Sequence, residues 1–394
     1  MNDTTASAPL QNDSPRDRSP RRKQDKFHPY PFWSPRFWHG MRLGDALRLF
    51  ARNCFRIHPL RVPMAFFVLG CGLLHTVLHW LERLLYGKQI ESVRIEQPPI
   101  FIIGHWRSGT THLHELLVRD PNFAFATTYE CFVPHHFLVS RRVLPKLIWF
   151  LLPAKRPMDN MSAGFDHPQE DEFALVTMGA PTPYLRIAFP NEAESYMEFL
   201  DMRDTRPDDL ARFKRDLLGF VKRLTLLKRK RLILKSPPHT GRLRVLSELF
   251  PGAIFIHIAR DPRAIFPSTQ RLWRALDEVQ GFQFPRHEHL DEFVLSAFER
   301  MYRGFEEQRR EIPADRIYEL RYEDLVRDPI GEIRKLYQAL PLGDFEALRG
   351  PLEEYLARQK DYQTNVHELP EEIRAAIGQR WAGYCQRYGY QLEN

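Results

Sequence analysis

The amino-acid sequence predicts an α/β fold, in which helices flank a parallel sheet and a helical extension precedes that sheet. Three observations lead to this fold class. Apolar runs typical of strands alternate with helical patterns from residue 98 onward. A glycine-containing loop joins the first of these strands to the first helix. A basic residue stands at or just beyond the carboxyl end of each of three predicted strands. With 394 residues, 43% of them hydrophobic, the chain is long enough to bury a substantial core.

The residues before the predicted sheet divide into two parts by composition. Residues 1–26 are rich in Ser, Pro, Asp, Arg and Lys, which predicts a disordered basic tail. Residues 27–97 form an aromatic and helical extension, with an amphipathic stretch near 43–55. Residues 98–394 then form the α/β domain.

Within the extension, residues 63–81 form an apolar run near the lower length limit of a bilayer span. His75, His79 and two glycines argue against a span. Three structures fit the run: a helix buried in the protein, a shallow membrane-associated helix or hairpin, and a membrane span. The extension is therefore a candidate for membrane association.

The first strand, loop and helix occupy residues 98–117. An apolar, β-branched run ends at Gly104, and apolar positions recur at helical spacing after Thr111. This layout directs backbone N–H groups and the positive end of a helix dipole towards an anion. Gly104 and Gly109 have the spacing of the two glycines in a P-loop, but Thr110 occupies the position of its lysine and the cation is Arg107. The loop therefore indicates a phosphate site of P-loop type that is unsuited to a nucleoside triphosphate with magnesium.

Two further strands end in basic residues. Residues 231–235 predict a strand that ends at Lys235, and residues 253–259 predict a strand followed directly by Arg260. Helices are expected over about 241–249 and from near 262, with a short strand beginning near 316 and a mostly helical C-terminal region. Ligands of open parallel sheets bind at the carboxyl ends of the strands, so the three cations predict an anion site there.

The motifs resemble those of the sulfotransferases that use 3′-phosphoadenylyl sulfate (PAPS). The run Arg107-Ser108-Gly109-Thr110-Thr111 resembles their 5′-phosphosulfate loop. Arg260 and Ser268, which are 8 positions apart, resemble their 3′-phosphate motif, and Tyr322-Glu-Asp-Leu-Val resembles a third element. Lys235 stands where the tyrosylprotein-type branch carries an active-site lysine. The motifs occur in the family's order over about 98–340, and they are most similar to those of that branch and of bacterial members.

The resemblance implies direct in-line transfer of a sulfuryl group from PAPS to an acceptor hydroxyl or amine, without a metal. It places Arg260 and Ser268 on the 3′-phosphate. Arg107, Lys235 and the backbone N–H groups of residues 108–111 would stabilise the charge that develops on the leaving bisphosphate. Tyr322 would contact the cofactor, although packing in the core is an equal alternative for a tyrosine at a strand end.

The sequence offers several candidates for the general base. The tyrosylprotein branch carries a glutamate after the first helix, and Glu130 lies near that place with two or three extra residues before it. We therefore expect Glu130 to deprotonate the acceptor. The alternatives are two other groups of residues: the acids Glu170, Asp171 and Glu172, and the histidines His105, His135 and His136.

Composition limits the partners and the location. The net charge of +7 suits an anionic ligand, but no zinc-finger or RRM-type signature occurs, so nucleic-acid binding is not expected. Four widely spaced cysteines without a CxxC pair fit a reducing compartment. Because PAPS is made in the cytosol, we expect a cytoplasmic enzyme held peripherally at a membrane, with anchoring through 63–81 as the alternative.

Other functions use the same loop layout. A P-loop nucleotide kinase is one, although Thr110 in the lysine position argues against it. A non-catalytic nucleotide-binding, membrane-associated protein is another. The motifs do not identify the acceptor, which could be a carbohydrate, a lipid, a peptide or a small molecule.

Overall fold

Five parallel strands form one sheet at the centre of the protein. The computed structural model describes residues 35–148, 164–192, 196–358 and 369–391, so the predicted tail over 1–26 lies outside the described residues. The strand order is β2-β3-β1-β4-β5. The strands are β1 (Ile100–Ile103), β2 (Phe123–Phe125), β3 (Arg231–Lys235), β4 (Ile254–Ala259) and β5 (Ile317–Arg321). The predicted α/β fold is confirmed, and β2 is a strand that the sequence analysis did not identify.

Helices cover the sheet and precede it. The helix expected near 241 begins at Leu243, after a short 3₁₀ turn over Pro237–Gly241, and the helix expected near 262 begins at Pro262. The α-helices are α1 (Leu43–Arg52), α2 (Val62–Ser92), α3 (Thr110–Leu117), α4 (Thr128–Phe132), α5 (Phe137–Ser140), α6 (Leu144–Ile148), α7 (Asp171–Thr177), α8 (Pro207–Lys228), α9 (Leu243–Leu249), α10 (Pro262–Gln280), α11 (Leu290–Gln308), α12 (Tyr322–Arg327), α13 (Pro329–Ala339), α14 (Glu346–Arg358), α15 (Glu371–Arg380) and α16 (Ala382–Tyr388).

The sheet is buried on both faces. Successive side chains of a strand point to opposite sides, so Ile100 and Ile102 of β1 belong to one hydrophobic cluster and Phe101 and Ile103 to another. This double burial explains why the strands appear in the sequence as continuous apolar runs rather than as alternating ones. The central strand β1 lies between β3 and β4, and the chain leaves it in the glycine loop.

The extension packs against the α/β domain. Phe37 and Trp38 are buried in the same hydrophobic cluster as Phe101, and the amphipathic stretch forms α1. Residues 63–81 lie within α2, which packs against α1, α5 and α8. This helix is long and apolar enough to cross a membrane, but only 22% of its most apolar window is buried in the protein. The structure therefore does not support a helix buried in the core.

The C-terminal helices pack into the same hydrophobic cluster as Phe101 and the extension. The ring of Trp381, between α15 and α16, stacks on Phe298 of α11 with 3.7 Å between the ring centroids. The hydroxyl of Tyr384 in α16 accepts a hydrogen bond from the backbone N–H of Arg260 and donates one to its carbonyl oxygen, both at 2.8 Å. The terminal helix thus fixes the backbone at the end of β4, where one of the predicted site residues lies.

Candidate active site

The loop after β1 has a backbone that only glycine tolerates at two places. Gly104 and Gly109 have φ values of +146° and +105°. A Cβ atom at Gly104 would lie 2.5 Å from the carbonyl oxygen of Ile258, and one at Gly109 would lie 2.3 Å from Cδ2 of Tyr322. Arg107 also has a positive φ, of +67°, which is uncommon for a residue with a side chain. Strain of this kind is concentrated at functional sites.

The loop leads into α3, whose first turn offers backbone donors. The first N–H groups of a helix have no partner within it, and Gly109 at the N-cap has no side chain to accept from them. Ser108 departs from the sequence-based expectation, because its N–H donates to the carbonyl oxygen of His105 at 3.1 Å. Its hydroxyl is buried without a hydrogen-bond partner in the described part of the chain. The N–H groups left for a ligand in the described part of the chain are therefore those of residues 109–111.

On one side of the loop, Arg107 contacts a serine hydroxyl and Arg260 contacts the backbone of Arg107. Nε of Arg107 donates to Oγ of Ser268 at 2.8 Å, and Nη1 of Arg260 donates to the carbonyl oxygen of Arg107 at 2.9 Å. Neither guanidinium forms an ion pair with a carboxylate among the described residues, so both retain positive charge for a ligand. This combination of cations and a hydroxyl at the carboxyl ends of β1 and β4 fits a phosphate group.

The ring of Tyr322 packs against both Arg260 and the glycine loop. The guanidinium carbon of Arg260 lies 4.3 Å from the centroid of the Tyr322 ring, and the same ring packs against Gly109. Tyr322 is only 7% exposed.

On the other side of the loop, Lys235 forms a buried ion pair with Glu170. Nζ of Lys235 lies 2.6 Å from Oε1 of Glu170 and 3.4 Å from Oγ1 of Thr111 at the start of α3. The hydroxyl of Tyr184 donates to Oε2 of Glu170 at 2.9 Å and accepts from Nε1 of Trp106 at 2.9 Å. Burial, together with the carboxylate of Glu170, raises the pKa of Tyr184 well above its usual value, so its proton stays on the hydroxyl. Glu170 is thereby held in one orientation beside the loop.

The two acids after Glu170 have structural partners instead. The carboxylate of Glu172 accepts from Arg242 at 3.0 and 3.1 Å and from Oγ of Ser236 at 2.7 Å, while Asp171 lies 2.7 Å from Nε2 of His239. All of these side chains are buried. Their network fixes the start of α7 and, with it, the backbone that carries Glu170. Of the three acids considered from the sequence, only Glu170 reaches Lys235.

Glu130 is not brought into this group. It is the third residue of α4, and its Oε2 accepts from the backbone N–H of Thr127 at 2.8 Å while the Thr127 hydroxyl accepts from the N–H of Glu130. Its Oε1 lies 2.7 Å from Nζ of Lys228. This reciprocal arrangement is a capping box, and the spacing Thr-x-x-Glu is the sequence signal that identifies it. The carboxylate faces a cavity of about 440 Å³ whose lining includes Arg141, Arg142 and Lys228.

The three candidate histidines are buried away from Lys235. Nδ1 of His105 lies 2.9 Å from the carbonyl oxygen of Trp106, and Nε2 of His136 lies 2.7 Å from a ring nitrogen of His75 in α2. Burial lowers the pKa of His105 and the pKa of His136 to about 3, and it lowers the pKa of His135 well below its usual value. These rings are therefore neutral, and the buried Nε2 atoms of His105 and His135 have no hydrogen-bond partner among the described residues. Over the described residues, no group of three or more His, Cys, Asp or Glu is arranged to hold a metal ion.

Comparison with known proteins gives one consistent result. The model of the sulfotransferase family matches residues 98–346. The chain is 43% identical over 358 residues to the omega-hydroxy-beta-dihydromenaquinone-9 sulfotransferase Stf3 of Mycobacterium bovis. The matched region covers 91% of this chain and 92% of that protein, and the Mycobacterium tuberculosis protein of the same name matches equally.

Two solved structures share the fold. Sulfotransferase STF9 from Mycobacterium avium superposes with a TM-score of 0.63 at 19% identity, covering 80% of this chain and 82% of that one. Sulfotransferase STF1 from M. tuberculosis H37Rv has a TM-score of 0.58 at 17% identity, covering 88% and 92%.

Proposed function

The chain belongs to the sulfotransferase family, and we propose that it transfers a sulfuryl group from PAPS to the terminal hydroxyl group of a polyprenyl lipid. The observation that carries the donor is a pair of arginines beside the loop. Arg107 donates to Ser268, Arg260 donates to the carbonyl oxygen of Arg107, and neither has a carboxylate partner in the described ranges. Their fork-shaped guanidinium groups are suited to phosphate oxygens. We assign Arg260 and Ser268 to the 3′-phosphate and the loop donors of residues 109–111, with Arg107, to the 5′-phosphosulfate.

The proposed chemistry is a direct displacement at sulfur. The acceptor oxygen forms a bond to sulfur while the bond from sulfur to the bridging oxygen breaks, and that electron pair stays on the 5′-phosphate of the departing adenosine 3′,5′-bisphosphate. Lys235 lies at Thr111, next to the loop donors, so its ammonium group can stabilise the negative charge that grows on the bridging oxygen. The acceptor's proton must leave at the same time.

We propose Glu170, rather than Glu130, as the group that takes this proton. Glu170 pairs with Lys235 and is oriented by Tyr184, whereas the carboxylate of Glu130 is bound to Lys228 and to the N-terminus of α4. A general base has to lie within hydrogen-bond reach of the reacting hydroxyl, and only Glu170 lies beside the lysine that serves the leaving group. Because Oε1 contacts Lys235 and Oε2 contacts Tyr184, the carboxylate is positioned before the acceptor arrives.

The identity of the acceptor rests on the relatives. The two mycobacterial proteins are named for a hydroxylated dihydromenaquinone, and they are 43% identical to this chain over nearly its whole length. We therefore propose an ω-hydroxylated polyprenyl quinone as the acceptor class. Such a lipid resides in a bilayer, while PAPS is a cytosolic solute. We therefore propose a cytoplasmic enzyme at the inner face of the membrane, with residues 98–394 as the catalytic domain and 27–97 as the membrane-associated extension.

Calorimetric titration of the full chain tests the donor site. We expect binding of adenosine 3′,5′-bisphosphate in the absence of metal and no comparable binding of ATP with magnesium. The competing kinase function predicts the opposite preference. Binding of ATP with magnesium alone would remove the assigned roles of Arg260 and Lys235 and overturn the proposed donor.

A further inference from the structure

One side of α2 presents a continuous apolar surface to solvent. Every exposed residue of α2 between Val62 and Leu81 is apolar or glycine. At the positions that define this outward face, 52% to 70% of each residue's surface remains exposed. The positions recur with helical spacing along about 21 Å of the helix. The outward face comprises Phe66, Phe67, Leu73, Leu74, Val77 and Trp80.

The opposite side of α2 is attached to the folded protein over the same length. Oγ1 of Thr76 accepts from the backbone N–H of Leu43 at 3.0 Å, beside Gly72, where a Cβ atom would lie 3.0 Å from Cα of Leu43. One turn and a half further on, the buried carboxylate of Glu82 accepts from Nε of Arg223 at 2.8 Å and from the N–H of Leu138 at 2.9 Å. The helix therefore cannot separate from the body without breaking buried polar contacts.

These attachments decide how α2 can meet a bilayer. The helices that hold its inward side, α1 and α8, carry arginines in contact with water; the side chain of Arg48 is 50% exposed and that of Arg215 is 69% exposed. A membrane-spanning α2 would draw these helices into hydrocarbon, where charged groups are strongly disfavoured. A helix lying in the plane of the interface buries the outward face alone and leaves α1 and α8 in water.

The charges around the outward face fit anionic lipid headgroups. Arg61 and Arg83 border it at its two ends. The guanidinium carbon of Arg61 lies 4.9 Å from the ring of Phe284, which is itself 46% exposed, and that of Arg83 lies 5.8 Å from the ring of Trp80. Long basic side chains that lie along exposed rings can bury their stems in the acyl region and keep the charge at headgroup level. No acidic side chain of α2 is exposed before Glu91, because Glu82 is fully buried.

A second segment, after α5, also exposes both apolar and basic side chains. α5 packs on α2, and the chain that follows α5 exposes Arg141 and Arg142 together with Val143 and Leu147, which are 59% and 62% exposed. Basic and apolar side chains are thus exposed together in the segment that follows α5. An apolar face with basic side chains around it matches an anionic bilayer, whose acyl chains are apolar and whose headgroups are negatively charged. A protein partner would not need this combination.

We infer that the outward face of α2 docks the enzyme on a phospholipid bilayer, with the helix axis in the membrane plane and its apolar side chains at the boundary between headgroups and acyl chains. Arg61, Arg83, Arg141 and Arg142 contact anionic headgroups around it. The inference rests on the proposed function only for the reason to bind a membrane, which is a lipid acceptor. Docking itself needs neither PAPS nor acceptor, so it is measured independently of turnover.

Sedimentation of the full chain with lipid vesicles tests this inference. We expect the protein to sediment with vesicles of mixed phosphatidylglycerol and phosphatidylcholine, and less with phosphatidylcholine alone or at high salt. The triple substitution Phe66→Gln, Leu73→Gln and Leu74→Gln is expected to weaken partitioning at least about tenfold, because it removes three exposed apolar side chains. Val326→Gln, at a valine that is 47% exposed on α12, is the matched control and should bind vesicles like the wild type.

The outcomes are distinguishable. Both variants should retain bisphosphate binding, which shows that they are folded and separates docking from the donor site. An alkaline carbonate wash should release the bound protein; resistance to it would indicate a membrane span and overturn the in-plane arrangement. Docking would be overturned if the wild-type protein sediments with none of the vesicles, or if the triple variant binds them as well as the wild type does. A dimer that the triple substitution dissociates, without vesicle binding, would instead assign the face to a second copy of the chain.

Discussion

Replacing Glu170 by glutamine separates the proposed general base from the nucleotide site. The substitution keeps the shape of the side chain and one acceptor oxygen for Lys235, which lies 2.6 Å from Oε1. It removes the charge that would take the acceptor's proton. Loss of a positioned general base costs about 100-fold to 10,000-fold in rate, which corresponds to about 3 to 5 kcal/mol of transition-state stabilisation. We expect kcat to fall within that range.

The same substitution should leave donor binding nearly unchanged. Glu170 contacts Lys235 and Tyr184 but neither Arg260 nor Ser268, so we expect the Kd of adenosine 3′,5′-bisphosphate to change by less than about threefold. The assay measures single-turnover sulfuryl transfer at saturating PAPS beside a calorimetric titration of the bisphosphate. A parallel loss of binding and transfer would show instead that the glutamate mainly keeps Lys235 in place.

Glu130→Gln is the matched control. Its carboxylate caps α4 and pairs with the partly exposed Lys228, so we expect the free energy of unfolding to fall by about 0.5 to 2 kcal/mol. Its kcat should stay within about threefold of the wild type. If Glu130→Gln abolishes transfer while Glu170→Gln remains active, the assignment of the base is refuted and Glu130, as the resemblance to the tyrosylprotein branch implies, takes that role.

Three further predictions address the nucleotide site and the stability of the fold. Arg260→Ala should weaken binding of adenosine 3′,5′-bisphosphate by at least about tenfold but leave binding of the form without the 3′-phosphate nearly unchanged; equal losses in calorimetry would contradict its assignment. Gly109→Ala should lower the free energy of unfolding in denaturant titrations by about 1 to 3 kcal/mol or more, because its φ is +105° and its Cβ would lie 2.3 Å from the Tyr322 ring. Gly383→Ala is the control: a Cβ there would meet nothing within 4 Å, so the free energy of unfolding should change by less than about 1 kcal/mol. Burial raises the pKa of Asp277 to about 6, so charging this carboxyl costs more in the folded than in the unfolded state, and the free energy of unfolding should fall by up to about 3 kcal/mol between pH 4 and pH 6. Asp277→Asn should lose that part of the pH dependence, and an unchanged slope would contradict the cause.

The nucleotide half of the site follows from local sequence. Arg107 lies in the glycine loop after β1, and Arg260 directly follows β4, so the parallel arrangement of the strands alone predicts that the two meet at one edge. Ser268 lies on α10, whose start is fixed by the end of β4. Each of these positions depends on a strand end and a few residues of chain, which is why the motifs predict that these side chains lie together; their binding of the nucleotide stays a prediction.

The acceptor half depends on packing that no motif records. Glu170 is 65 residues from Lys235 in sequence, and it reaches the lysine because the chain before α7 is hydrogen-bonded to the chain after β2, with the N–H of Gln169 donating to the carbonyl oxygen of Ala126. The strand β2 has three residues and was too short to predict. For Glu130, the sequence did contain the relevant signal, since Thr127-x-x-Glu130 has the spacing of a capping box.

The apolar run over 63–81 shows a similar limit. A buried helix, an interfacial helix and a membrane span can have the same hydropathy. They differ in what each side of the helix contacts, which the sequence does not show. Thr76 and Glu82 are held by the folded protein, whereas Phe66 and Trp80 are open to solvent. This difference between the two sides of the helix is the basis of the in-plane docking proposed above.

Transfer of radiolabelled sulfur from PAPS to an ω-hydroxylated menaquinone in phospholipid vesicles tests the central claim most directly. We predict that the wild-type chain moves the label to the lipid, that an otherwise identical lipid without the terminal hydroxyl stays unlabelled, and that Glu170→Gln gives at least about 100-fold slower labelling. If the protein binds adenosine 3′,5′-bisphosphate but leaves the hydroxylated lipid unlabelled, the proposed acceptor is wrong.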